Sequence, residues 1–122
     1  MKTFFRLATI VAFCFMSLSA LAQHQKPTPE ERATKMTDRM KTELSLDDQQ
    51  YQKVHAINVK YAEKTAEVRS KRGDRQEILT AMREINKERR SELKSVLSEE
   101  QMQKFAEMQK QGRSSMKKRR PA

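Results

Sequence analysis

The residues that could do chemistry here are few and poorly placed for it. Three carboxylate pairs occur, Glu30-Glu31, Asp47-Asp48 and Glu99-Glu100. Acid–base catalysis needs two acids converging in one site with separated pKa values. Each of these pairs instead lies at the start of a helical pattern, where negative charge complements the helix macrodipole. The histidines are His24 and His55. Tyr51 and Val59 occupy the positions four residues from His55, so no helical ligand pair exists there, and an ordered zinc site takes three or four ligands. Met36 and Met40, four apart, could hold a soft ion such as Cu(I), but a packing stripe has the same spacing. The one cysteine, Cys14, lies in an apolar leader. With no Ser/His/Asp arrangement and no glycine-rich phosphate loop, the chain reads as a non-enzyme without cofactor or metal.

The elements that would carry these residues begin after that leader. Lys2 and Arg6 precede the apolar run "LATIVAFCFMSLSALA", which ends in the small-x-small site Ala20-Leu21-Ala22. That is the layout of a cleaved secretory signal peptide over residues 1–22, and it sends the mature protein to an oxidising compartment outside the cytoplasm. No cysteine remains after cleavage, so the domain must hold together by packing alone. Formal net charge is +10, and much of the excess sits in the final run "GRSSMKKRRPA". Residues 23–111 form the expected helical domain, and residues 112–122 a disordered basic tail ended off by Gly112. The tail's charge suits anionic headgroups at a membrane surface. Export argues against nucleic acid as its partner.

Ala, Glu, Lys, Arg, Gln and Met dominate the body, and these favour helix. The fold class is all-α: four helices with a long central antiparallel hairpin. Thr28-Pro29 with Glu31 forms a capping box and starts a first helix over residues 29–43. Its stripe is Ala33, Met36, Met40 and Leu44. One phrase then occurs twice, "LDDQQY" from Leu46 and "LSEEQM" from Leu97. In each, Asp47 or Ser98 is the N-cap, and Gln50 or Gln101 reaches back three residues to complete a box. Leu46 or Leu97 sits ahead of the cap to staple onto Tyr51 or Met102. These six residues, Leu46, Asp47, Gln50, Leu97, Ser98 and Gln101, mark two corners of the fold.

Between the corners, Val54, Ile57, Tyr61 and Val68 keep heptad spacing over residues 48–72, with Lys64 at the missing step. From Arg75 to about Ser95, Ile78, Met82, Ile85 and Val96 do the same, with Arg89 and Glu92 at the gaps. Gly73 and Asp74 supply a helix stop and, with Glu77, a further box. Folding at Gly73 pairs Val68 with Ile78 and Tyr61 with Ile85. It sets Lys64 beside Met82 and Ile57 beside Arg89, where basic side chains can snorkel. Each arm would be about 33–36 Å long at 1.5 Å per residue. Such a thin layer is an incomplete core, and a second copy would complete it.

The leader, the helical body and two leucine-headed motifs flanking a hairpin resemble the Spy/CpxP family of periplasmic proteins. The motif copies here, Leu46-Asp47-Asp48-Gln49-Gln50 and Leu97-Ser98-Glu99-Glu100-Gln101, lack that family's threonine, though Asp and Ser cap equally well. The resemblance implies a cradle-like homodimer that binds unfolded or misfolded envelope proteins without ATP, or serves envelope-stress signalling. On this chain, Met36, Met40, Ile57, Tyr61, Lys64, Met82 and Arg89 would supply the apolar and basic client surface. The alternatives are a regulator that docks one membrane stress sensor and a metal-responsive periplasmic sensor.

Overall fold

A computed structural model describes residues 25–119. The expected signal peptide, Cys14, His24 and the last three residues lie outside that range. Four helices follow in order: α1 Pro29–Leu44, α2 Asp48–Ser70, α3 Arg75–Val96 and α4 Glu99–Lys118. The described residues contain no strand, and the all-α class and central hairpin stand.

Local chemistry sets three of the four helix starts. Thr28, Asp47 and Ser98 each accept from the backbone N–H three residues on, and Glu31, Gln50 and Gln101 each accept the cap N–H in return. The box expected at Asp74 and Glu77 is absent: Asp74 makes no side-chain cap bond. It sits at the exposed tip of the hairpin, where no tertiary packing holds the cap in place.

Gly73 also works differently from expectation. Neither it nor Gly112 adopts a positive φ, so neither is a left-handed helix stop. α2 ends at Ser70 because Lys71 turns to an extended conformation, and Gly73 N–H donates to Lys71 O at 2.9 Å in a three-residue turn. The left-handed residue is Ser45 (φ 53°, ψ 54°), which closes α1. Its N–H and that of Leu46 both donate to Lys41 O, as in a Schellman-type stop.

The expected disordered tail is helical as far as Lys118. One interior glycine costs a helix about 1 kcal/mol, too little to stop a run of Gln, Arg, Met and Lys. Basic residues at its C-terminal end favour the dipole. The hydroxyls of Ser114 and Ser115 both donate back to Gln111 O at 2.9 Å.

α1 lies along α2, and α2 along α3, while α4 touches α1 and α3. No Cα of α1 comes within 8 Å of one in α3. The core gathers where the two corners meet: Met40, Leu44, Leu46, Val54, Leu93, Leu97, Phe105 and Met108. Both leucines that head the repeated phrases are in it. α2 has 23 residues against 16 in α1, so the hairpin outruns its cover. Between Tyr61 and Ile85 no residue is fully buried.

Candidate functional site

The two repeated phrases meet. Gln50 Nε2 donates to Gln101 Oε1 at 2.8 Å, and Gln101 Nε2 donates to Gln50 Oε1 at 3.2 Å. Each amide nitrogen also donates to the last carbonyl of the helix that ends at the other corner: Gln50 to Val96 O and Gln101 to Leu44 O, both at 3.2 Å. Each amide oxygen meanwhile accepts its own N-cap N–H. Both glutamines thus use their full hydrogen-bonding capacity, and each satisfies a carbonyl that a helix end leaves unpaired. The arrangement has local two-fold character. It joins four helix ends in one clasp, whereas each phrase on its own predicted only a separate corner.

A second polar chain runs through the bundle. Thr37 Oγ1 donates to Ala33 O at 2.7 Å and accepts from Asn58 Nδ2 at 3.0 Å. Asn58 Oδ1 accepts from Arg89 Nε at 3.0 Å, and the Arg89 guanidinium lies over Phe105, 5.7 Å from the ring centroid. The chain therefore touches all four helices in turn. Burial pulls the Arg89 pKa below its usual value, yet an arginine stays charged. Thr37 and Asn58 escaped the sequence reading, although their spacing carried a signal. Asn58 falls between Val54 and Tyr61 on the α2 stripe, and Thr37 between Ala33 and Met40 on that of α1.

Across the hairpin, Lys60 and Tyr61 both donate to Glu92 Oε1, at 2.5 and 2.6 Å, and Lys64 pairs with Glu88 at 2.8 Å. The ammonium groups of Lys60 and Lys64 sit 5.3 and 5.0 Å from the Tyr61 ring centroid. Burial, then the bond to Glu92 and the nearby carboxylate charges, push the Tyr61 phenol up to about 12. The bonds from Lys60 and Tyr61 hold the Glu92 carboxyl below its usual value. On the other flank of α2, Tyr51 donates to Asp38 Oδ1 at 2.7 Å, and Thr34 Oγ1 lies 3.1 Å from His55 Nε2.

The expected client residues fall into two groups. Met40 is completely buried and Tyr61 is 3 % exposed, so in this fold both are core, not client surface. Met40 lies in the core cluster, and Tyr61 is flanked by Lys60, Lys64 and Glu92. Met36, Ile57, Lys64, Met82 and Arg89 are half-buried. Lys64 meets Glu88 where Met82 was expected, and Arg89 binds Asn58, next in sequence to the expected Ile57. Beyond Tyr61, the hairpin presents half-buried Ala62, Ala66, Val68, Ile78, Ala81 and Met82, with Leu79 42 % exposed. Arg69, Lys71, Arg72, Arg75 and Arg83 stand exposed around them, interspersed with exposed Glu63, Glu67, Asp74, Glu77 and Glu84, and Lys71 pairs with Glu67. The leucine pattern alone pointed to neither this division nor the clasp.

Among the described residues, no helix is long and apolar enough to cross a membrane. No curated protein and no solved structure matches the chain. Residues 20–105 match the family described as a domain of unknown function, DUF4890. That span takes in the first three helices, both phrases and Phe105, and the chain belongs to the DUF4890 family.

Proposed function

We propose that the protein is a periplasmic, ATP-independent chaperone or envelope-stress adaptor, similar in type to the Spy/CpxP family, that binds partly unfolded proteins on the outer half of its helical hairpin. The observation that carries this reading is the division of the molecule into a clasped base and an uncovered tip. Polar bonds and the core are concentrated around Gln50, Gln101 and Phe105. Past Tyr61, apolar side chains lie half-covered among charged ones of both signs, with Arg69, Arg72, Arg75 and Arg83 exposed. Partly exposed apolar surface of this kind favours association, and the unbranched, adaptable Met82 suits varied partners. Lys and Arg would draw in acidic segments over the screening length of about 10 Å at 0.1 M salt.

A homodimer is part of the proposal, since a second copy laid on the hairpin would make a concave face from two thin layers. The expected secretory leader supports the periplasmic assignment. The test is light scattering from an aggregating protein in buffer without ATP. At near-equal molar ratio this protein should suppress the scattering. Unchanged scattering would reject client binding and leave docking to a single regulatory partner. Sedimentation at tens of micromolar should give a dimer, and a monomer would remove that part of the proposal.

A further inference from the structure

The outer half of α4 takes no part in the core. Met108 is the last buried residue of that helix, and every residue from Arg113 to Arg119 is exposed. Glu107 is the last acidic residue of the chain. Past it, Lys110, Arg113, Lys117, Lys118 and Arg119 all stand exposed. None of them forms an ion pair among the described residues, whereas Lys104, earlier on the same helix, pairs with Glu100 at 3.2 Å.

The helix macrodipole explains only part of this. It favours positive charge in the last turn of a helix, which covers Lys117 and Lys118. Lys110 and Arg113 lie one to two turns earlier. At about 3.6 residues per turn, Lys110, Arg113 and Lys117 share one stripe with Met116 at its border, all within about a third of the helix circumference. Met116 is 75 % exposed.

An exposed apolar side chain set among unpaired positive charges fits a surface that is anionic outside and apolar just beneath. Phosphate headgroups over acyl chains have that order, and each Lys or Arg brought to them adds to the binding. Nucleic acid matches less well. No aromatic residue follows Phe105, so bases would find nothing to stack on, and Met116 would stay in water.

We propose that the outer half of α4, residues 109–119, is a peripheral docking face for anionic phospholipid bilayers. Lys110, Arg113 and Lys117 meet the headgroup phosphates, and Met116 reaches the boundary with the acyl chains. This goes beyond client capture by the hairpin tip, and either can fail alone.

The protein is produced from its full sequence, identically for every variant, so the apolar leader contributes equally to each sample. It is sedimented with phosphatidylcholine vesicles, with and without phosphatidylglycerol, in about 0.1 M salt. Binding should need phosphatidylglycerol. It should be reversed in about 1 M salt, where the screening length falls to about 3 Å. Lys110→Gln, Arg113→Gln and Lys117→Gln combined should weaken it at least about tenfold with the far-UV helical spectrum preserved. Met116→Gln alone should weaken it about fourfold, the equivalent of one buried methylene. Equal binding to both vesicle types, binding that survives high salt, or an unchanged affinity in either variant would overturn the proposal. So would tighter binding to duplex DNA than to the vesicles, which would make this end of α4 a nucleic-acid contact. If the triple variant loses helix, the lipid comparison, the salt release and Met116→Gln decide without it.

Discussion

Replacing Gln50 with Ala removes four hydrogen bonds at once. Two link it to Gln101, one reaches Val96 O, and one receives the Asp47 N–H. A neutral intramolecular bond contributes about 0.5–1.5 kcal/mol net. Water can take over at Asp47, which is exposed, but less readily at half-buried Val96. The expected loss is therefore about 2–4 kcal/mol, and Gln101→Ala should lose a similar amount, since its bonds mirror those of Gln50. The two bonds between the glutamines are lost in either single variant and can be lost only once. The double variant should thus fall short of the sum by about 1–3 kcal/mol. Urea unfolding followed by far-UV circular dichroism gives all three values, with comparable slopes required for the comparison. Additivity within about 0.5 kcal/mol would refute the clasp and return the phrases to being two independent caps.

Gly112→Ala should stabilise α4 by about 1 kcal/mol, because a Cβ there meets nothing within 4 Å; a lower melting temperature would mean that the glycine ends the helix after all. Ser45→Gly should be neutral or stabilising by up to about 1 kcal/mol, since left-handed backbone penalises residues other than glycine, whereas Ser45→Val should destabilise; equal effects in urea unfolding would contradict the Ser45 conformation. The folded Glu92 pKa is lowered, so its contribution to stability is present above the unfolded value near 4.5 and is lost as pH falls through the lower folded value. Melting curves should therefore drop on acidification across that range and drop less in Glu92→Gln; identical pH profiles would remove Glu92 from the hairpin network. For Tyr61 the shift is upward, so its contribution holds below pH 10 and is lost between 10 and about 12.

How much of this was readable in the sequence depended on how local each interaction is. The boxes at Thr28, Asp47 and Ser98 involve residues three apart, and their starts fall where the spacing placed them. Asp74 carries the same spacing, but at an exposed tip nothing holds it, and the box does not form. The Gln50–Gln101 pair joins residues 51 apart in sequence. Only the repetition of the phrase hinted at it, because a capping glutamine with spare donors looks the same whether it faces water or another glutamine. Arg89 occupied a gap in the heptad pattern and so read as a snorkelling surface residue. Its burial follows from Asn58 on α2 and Phe105 on α4, neither of which the pattern of α3 contains. The helical tail was missed because a glycine was weighed as a stop, while its cost is small beside the helix-forming run around it.

The proposed function needs a clasped base that stays closed and a hairpin tip that receives other chains. Hydrogen exchange on the full protein, with and without a reduced, unfolded test protein, measures both together. Amides of residues 48–58 and 89–105 should be protected in either condition, and amides of residues 62–85 should slow only when the unfolded chain is present. Protection gained at the base, or none gained anywhere, would contradict it.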